Sequence, residues 1–210
     1  MPDPMNHAGA DEASSAIYID FEGFKDQAPA LIGILEDNTF TQVVLDDRLR
    51  SAAEAKDLRV DTGSNVLSEL LSQAEDEQRR IAGFGLLELQ AAKNWFDVDL
   101  EDRYLNGHRL GRRWWNRGLA PFVKKPEQFS LEAFELCLGI KRPSHLAPGN
   151  MTARLGAVLG QIEGRGSYDR ITQVAKAKWT KLLDYNEFDV QSLATLVKRA
   201  DHDIERADAQ

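Results

Sequence analysis

The stretch "IYIDFEGF" (17–24) constrains the fold more than any other part of the chain. It reads as a short apolar strand carrying two acids, Asp20 and Glu22, set two residues apart beside Ile17, Ile19 and Phe21. Residues i and i+2 of a strand point to the same face, so the two carboxylates stand side by side. Like charges at that spacing repel, and an ordinary strand gives no reason to pair them. Two arrangements would hold them there: a bound metal ion, or a plain solvent-facing edge.

Two more apolar runs follow, "ALIGILED" (30–37) and "FTQVVLDD" (40–47), joined by the turn dipeptide "DN". The spacing predicts three strands in an antiparallel meander. "GSNVLSELLSQAEDEQRR" (63–80) places Val66, Leu67, Leu70 and Leu71 at helical spacing, with Ser64 as its cap. "IAGFG" (81–85) reads as a short buried strand and "LLELQAAKNWF" (86–96) as a helix. Strand, helix and strand in this order predict an α/β layer with at least one parallel pairing. Helices are expected over 130–143, from Ser130 to the Gly139 and Pro143 stop signals, and over 150–164. Residues 167–207 form a long helical tract, expected to break once around 180–186, with a fraying tail from 201.

Size and charge narrow the classes. A chain of 210 residues, 42% hydrophobic and 29% charged, has the balance of a globular protein with a real core. No apolar run approaches the roughly 20 residues of a membrane helix, so no membrane association is expected. The first sixteen residues are polar and acidic and lack the basic and apolar regions of a signal peptide. A disordered tail over 1–16 and a cytoplasmic protein are the expectations. Cys137 is the only cysteine, which excludes intramolecular disulfides and thiolate zinc sites. A net charge of −8 disfavours a broad nucleic-acid-binding surface and leaves room for a local one.

Acids in apolar settings recur at two other places. Glu88 falls in the first turn of the helix that leaves "IAGFG", and Asp189 lies in "YNEFDVQSL" between Phe188 and Val190. Four carboxylates meeting at one strand end form an oxygen cage for hard divalent cations. Two such ions about 3.5–4 Å apart activate a water and stabilise the leaving oxygen in phosphodiester cleavage. Tyr185 and Asp189 are one helical turn apart and share a face. A phenol near pKa 10 is a poor base at neutral pH, so Tyr185 is expected to orient a water that the metal has acidified. Other readings stay open. Asp20 and Glu22 could form a polar strand face, Glu88 could be an acid favoured by the helix dipole, Asp189 an exposed helix residue, and Tyr185 a packing residue.

At these residues the chain resembles the DEDD 3′–5′ exonucleases of the ribonuclease H-like superfamily. "YIDFEGF" is similar to their first motif, with its Asp-x-Glu, and "YNEFD" to the third motif in its Tyr-x-x-x-Asp form. "IAGFGLLEL" resembles the second motif of the RecB-type and YprB-like nuclease branch, reading here Phe84-Gly85-Leu86-Leu87-Glu88. The likeness covers residues 17–37, 81–96 and 180–199 in order, and leaves roughly 97–165 outside it. The resemblance implies an α/β, ribonuclease H-like central mixed sheet of about five strands, an antiparallel meander of three plus parallel strands, flanked by helices. It implies one domain over 17–205 with a helical, partly basic insertion at about 97–165. It also implies two Mg²⁺ or Mn²⁺ ions and 3′–5′ hydrolysis. Carried over, Asp20 bridges both ions, Glu22 and Asp189 each bind one, and Glu88 binds the second, directly or through water. Glu88 departs from the usual Asp by one C–C bond, about 1.5 Å, which weakens the second position.

The remaining signal is "RLGRRWWNRGLAPFVKK" (109–125), six cations and no acid around a Trp pair. Arg109, Arg112, Arg113, Arg117, Lys124 and Lys125 suit phosphates, and Trp114 and Trp115 suit unpaired bases, so single-stranded DNA or RNA ends are the expected partners. The competing reading is a helix whose Trp pair packs on the core while its arginines pair with Asp97, Asp99, Glu101 and Asp102. Three functions follow: a metal-dependent nuclease, a catalytically impaired nucleic-acid-binding or adaptor module of the same fold, and a protein-binding subunit whose acids are surface charge. Convergence of the four carboxylates decides against the third.

Overall fold

A computed structural model describes residues 10–121, 126–147 and 149–210. Its core is a mixed six-stranded sheet in the order β4-β3-β2-β1-β5-β6. Strands β1 (Ile17–Gly23), β2 (Pro29–Glu36) and β3 (Thr39–Val44) form the expected antiparallel meander. The β2–β3 turn runs through Asp37 and Asn38, both at positive φ, the geometry that favours such residues in a two-residue hairpin. Strand β4 (Arg59–Val60) pairs parallel with β3, β5 (Ile81–Gly83) parallel with β1, and β6 (Tyr104–Asn106) parallel with β5.

The alternation in β1 sorts its side chains between two cores. Ile17, Ile19 and Phe21 face α3 (Gly63–Asp76) and α4 (Leu87–Phe96), packing with Val66, Leu67 and Leu70. Tyr18 faces the other way, toward α5 (Gly107–Asn116) and α8 (Gln173–Asp208), where Trp114, Phe134, Val190 and Leu193 close a second core. Helices therefore cover both faces. A short α2 (Arg50–Glu54), α6 (Leu131–Leu138) and α7 (Met151–Arg165) complete that coverage, with α7 packed along α8. Among the described residues, no helix is long and apolar enough to cross a membrane.

Four expectations need correction. The 167–207 tract is not broken: α8 runs 36 residues, about 54 Å, without interruption. It contains neither Gly nor Pro, and its one awkward residue, Asn186, is satisfied by tertiary hydrogen bonds rather than by a helix break. The cap of α3 is Thr62, whose hydroxyl accepts from the Asn65 N–H; Ser64 instead donates to the Phe96 carbonyl. The stretch 97–165 is not purely helical, because it supplies β6, a strand too short to show alternation. Part of the expected tail, residues 10–16, is structured: helix α1 (Ala10–Ser14) packs on α8, the Tyr18 hydroxyl donates to the Ala13 carbonyl, and Arg79 donates to the Ser15 carbonyl. Residues 1–9 lie outside the described residues.

Candidate functional site

Strand β1 lies inside the sheet between β2 and β5, and Asp20 and Glu22 project from its α8 side. Across the meander, Asp20 pairs with Gly33, and Gly33 with Gln42. Gly33 leaves a gap in this row that Asn186 of α8 fills; a Cβ there would lie 2.2 Å from the Asn186 Oδ1. Fully buried, Asn186 donates through Nδ2 to the Asp20 carboxylate at 2.9 Å and to the Asp20 carbonyl at 3.2 Å, while its Oδ1 accepts from Gln42 at 2.9 Å. One amide thus seats α8 on three strands and fixes the Asp20 side chain.

The same seating delivers Asp189, three residues on from Asn186. Asp20, Glu22 and Asp189 each offer one carboxylate oxygen, and these all lie within 4.8 Å of one another. Burial, then the charges of Glu22, Asp189 and Glu88, push the Asp20 carboxyl well above the usual carboxylate range, with the Asn186 amide opposing. Burial and the Asp189 charge push Glu22 up to about 8, against the pull of Arg154. Burial pushes Asp189 up to about 6 even though Arg142 and Tyr185 oppose it. Glu22 is nine-tenths buried, and its carboxylate has no hydrogen bond among the described residues. Tyr185 is pushed up by burial and by Asp189, so its phenol stays protonated at neutral pH and keeps a proton to donate.

Glu88 stands apart. It is buried in the first turn of α4, where its Oε2 accepts from the Gly85 N–H and the Tyr104 hydroxyl, both at 3.2 Å. Burial raises its acid while those bonds oppose. It therefore sits outside the three-oxygen group, close enough for Asp20 to feel its charge, and lines the same cleft as Asp20. The expected four-acid cage is three acids plus one neighbour.

Two site residues escaped sequence reasoning. Arg142 donates to Asp189 at 2.6 Å and to both oxygens of Glu135, and its guanidinium lies 4.9 Å from the Tyr185 ring centroid and 4.7 Å from that of Phe188. "GIKRP" offers no periodicity that would single it out. Asn186 sits within the quoted "YNEFD", and its one available signal was a polar side chain on the apolar face of a helix.

In the basic stretch Arg109, Arg112 and Arg117 are exposed, while the Trp pair is turned inward. Trp114 is 0% exposed and its indole donates to Asp203 at 3.0 Å, so it cannot stack on a base. Trp115 is partly buried against Phe129, with ring centroids 6.0 Å apart. Arg113 and Arg117 pair with Asp208 at the end of α8, not with the 97–102 acids, and Arg112 lies over the Phe129 ring. Arg109 starts α5, where its N–H is capped by Asn106 at 2.9 Å. Lys124 and Lys125 lie outside the described residues.

No family profile, curated protein or solved structure matches the chain.

Proposed function

We propose that the protein is a divalent-metal-dependent phosphodiesterase of ribonuclease H-like architecture that hydrolyses single-stranded DNA or RNA ends, in the 3′–5′ direction. One observation carries the reading: three carboxylates from the middle of the sheet and from α8 bring oxygens within 4.8 Å. Two oxygens on one Mg²⁺, each at about 2.1 Å, lie at most about 4.2 Å apart, so an ion would draw this donor set slightly closer together. All-oxygen donors suit hard ions, and Glu22, without a hydrogen bond among the described residues, has a carboxylate to offer. The meander followed by parallel strands, with the acids on its central strand, supports the same architecture.

Bound metal would supply an acidified water and a stabilised leaving oxygen. The chain does the positioning. Asn186 holds the Asp20 rotamer. Tyr185, protonated and beside Asp189, would orient a water at the site through its hydroxyl. Glu88, held by Tyr104 and the Gly85 N–H, keeps a second acid at the cleft wall for a weaker second ion or its water shell.

A second reading, an impaired nucleic-acid-binding or adaptor module of the same fold, is favoured by one arrangement: Glu88 is tied to the protein and Arg142 already occupies Asp189. End-labelled single-stranded DNA and RNA incubated with Mn²⁺ separate the two. The nuclease reading expects stepwise shortening by the wild type and none by Asp20→Ala. Intact oligonucleotide in both lanes would overturn it in favour of the binding module.

A further inference from the structure

A cleft of about 880 Å³ opens between α4 and the turn that links β1 to β2, and Asp20 and Glu88 both line it. This volume falls in the range of small-ligand sites, about 300–1,000 Å³. Its α4 wall is unusual for a surface helix. Leu87, Ala91 and Trp95 recur four residues apart and so share one face. That face points into the cleft, with Leu87 76% exposed and the Trp95 indole 50% exposed. On the same helix Glu88, Ala92 and Phe96 turn inward, so the inward face has its own apolar and acidic anchors while Leu87 and Trp95 stay largely exposed. Gln90 and Asn94 place amides along the same wall, and Lys25 stands opposite on the β1–β2 turn.

We propose that this cleft seats one unpaired nucleobase of the substrate, with the Trp95 indole as its stacking face. The inference rests on the nuclease reading for the substrate's identity and adds where its base lies. Three features select this occupant. The cleft is continuous with the acids that would act on a phosphodiester. An exposed indole offers a flat π-face that accepts any base, as in single-strand sites. The neighbouring amides can reach base edges and Lys25 a flanking phosphate, while a duplex would need both strands to enter a cleft of this size. The contact differs in kind from the basic stretch of α5, whose Trp114 is buried.

The test uses the full chain with Ca²⁺ in place of Mn²⁺ and fluorescein-labelled ten-nucleotide DNA and RNA of one sequence, with the blunt duplex as control. Trp95→Ala should weaken single-strand binding about 5- to 150-fold, Trp95→Phe should restore most of it, and the salt slope should not change, because no phosphate contact is lost. Mn²⁺ affinity in the absence of oligonucleotide, read by calorimetry, should match the wild type. Unchanged oligonucleotide affinity in a folded Trp95→Ala protein overturns the base seat and returns Leu87 and Trp95 to another partner. If wild type cleaves with Mn²⁺ while Trp95→Ala binds and cleaves normally, the seat fails and the nuclease reading stands. If wild type never cleaves but its binding depends on Trp95, the seat stands and the nuclease reading fails. A wild type that binds neither strand overturns both.

Discussion

The α5 stretch and the β1–α8 site both concentrate like charge, and they resolve it in opposite ways. At α5, Arg113 and Arg117 share Asp208 from the end of α8, and the buried indole of Trp114 meets Asp203, so part of the charge is met by the fold itself. At β1 and α8, three carboxylates are brought together, each pushed toward protonation by burial; Arg142 pairs directly with Asp189, and Arg154 pulls on Glu22. A charge cluster relieved by its own fold is architecture. Buried acids with raised pKa gather at functional sites more than elsewhere, which is why the second cluster carries the proposed site.

Substitutions in the two regions should therefore fail differently. The largest effect belongs to Asp20→Ala, which removes a ligand from every ion the site could hold. Cleavage with Mn²⁺ should drop by several kcal/mol of transition-state stabilisation, on the order of 10³-fold, with the melting temperature held or raised. Trp114→Ala should do the reverse: a stability loss of about 3–5 kcal/mol by denaturant titration. An unchanged stability would return α5 to the list of binding surfaces.

Next comes Gly33→Ala. The new methyl would force Asn186 away from Asp20 at a cost of about 1–3 kcal/mol, and metal affinity should fall with stability. Loss of stability with metal binding intact would separate Asn186 from the site. The burial of these acids is read by pH. Glu22 holds its proton more tightly folded than unfolded, so metal-free stability should fall as pH rises from its ordinary 4.5 to about 8. Glu22→Gln should flatten that decline and gain on the order of 1 kcal/mol at pH 8, about 2–4 °C in melting temperature. A parallel decline in the variant would assign the effect to other groups. The smallest change belongs to Arg117→Gln, whose pair with Asp208 is solvent-exposed and screened, so stability should hardly move and oligonucleotide binding should keep its salt slope. A slope lower by roughly 0.7 would mark Arg117 as a phosphate contact.

Much of the sheet was legible because its signals are local. The alternation of 17–22 set the faces of β1, and Asp37–Asn38 announced the hairpin. What local pattern could not carry was the tertiary override. Asn186 reads as a helix breaker until Gly33 and Gln42 are seen opposite it. The three residues of β6 are too few to show a period, yet its Tyr104 and Asn106 anchor the loop beneath Glu88. The acids Asp20, Glu22 and Asp189 were legible as candidates, since polar residues within apolar runs stand out; that Glu88 is drawn aside depends on Tyr104, 16 residues away. Arg142 was invisible for the same reason, being defined by partners 7 and 47 residues distant. The composition of 109–125 could not show that Trp114 and two of its arginines have partners at 203 and 208.

Calorimetric titration of the metal-free full chain with Mn²⁺ at pH 8, wild type beside Asp20→Asn and Arg117→Gln, tests the metal site most directly. Saturable binding by the wild type and by Arg117→Gln, lost in Asp20→Asn, is the expected result. A wild type that takes up no Mn²⁺, or an Asp20→Asn protein that binds it equally well, would contradict the reading of Asp20, Glu22 and Asp189 as a cation site.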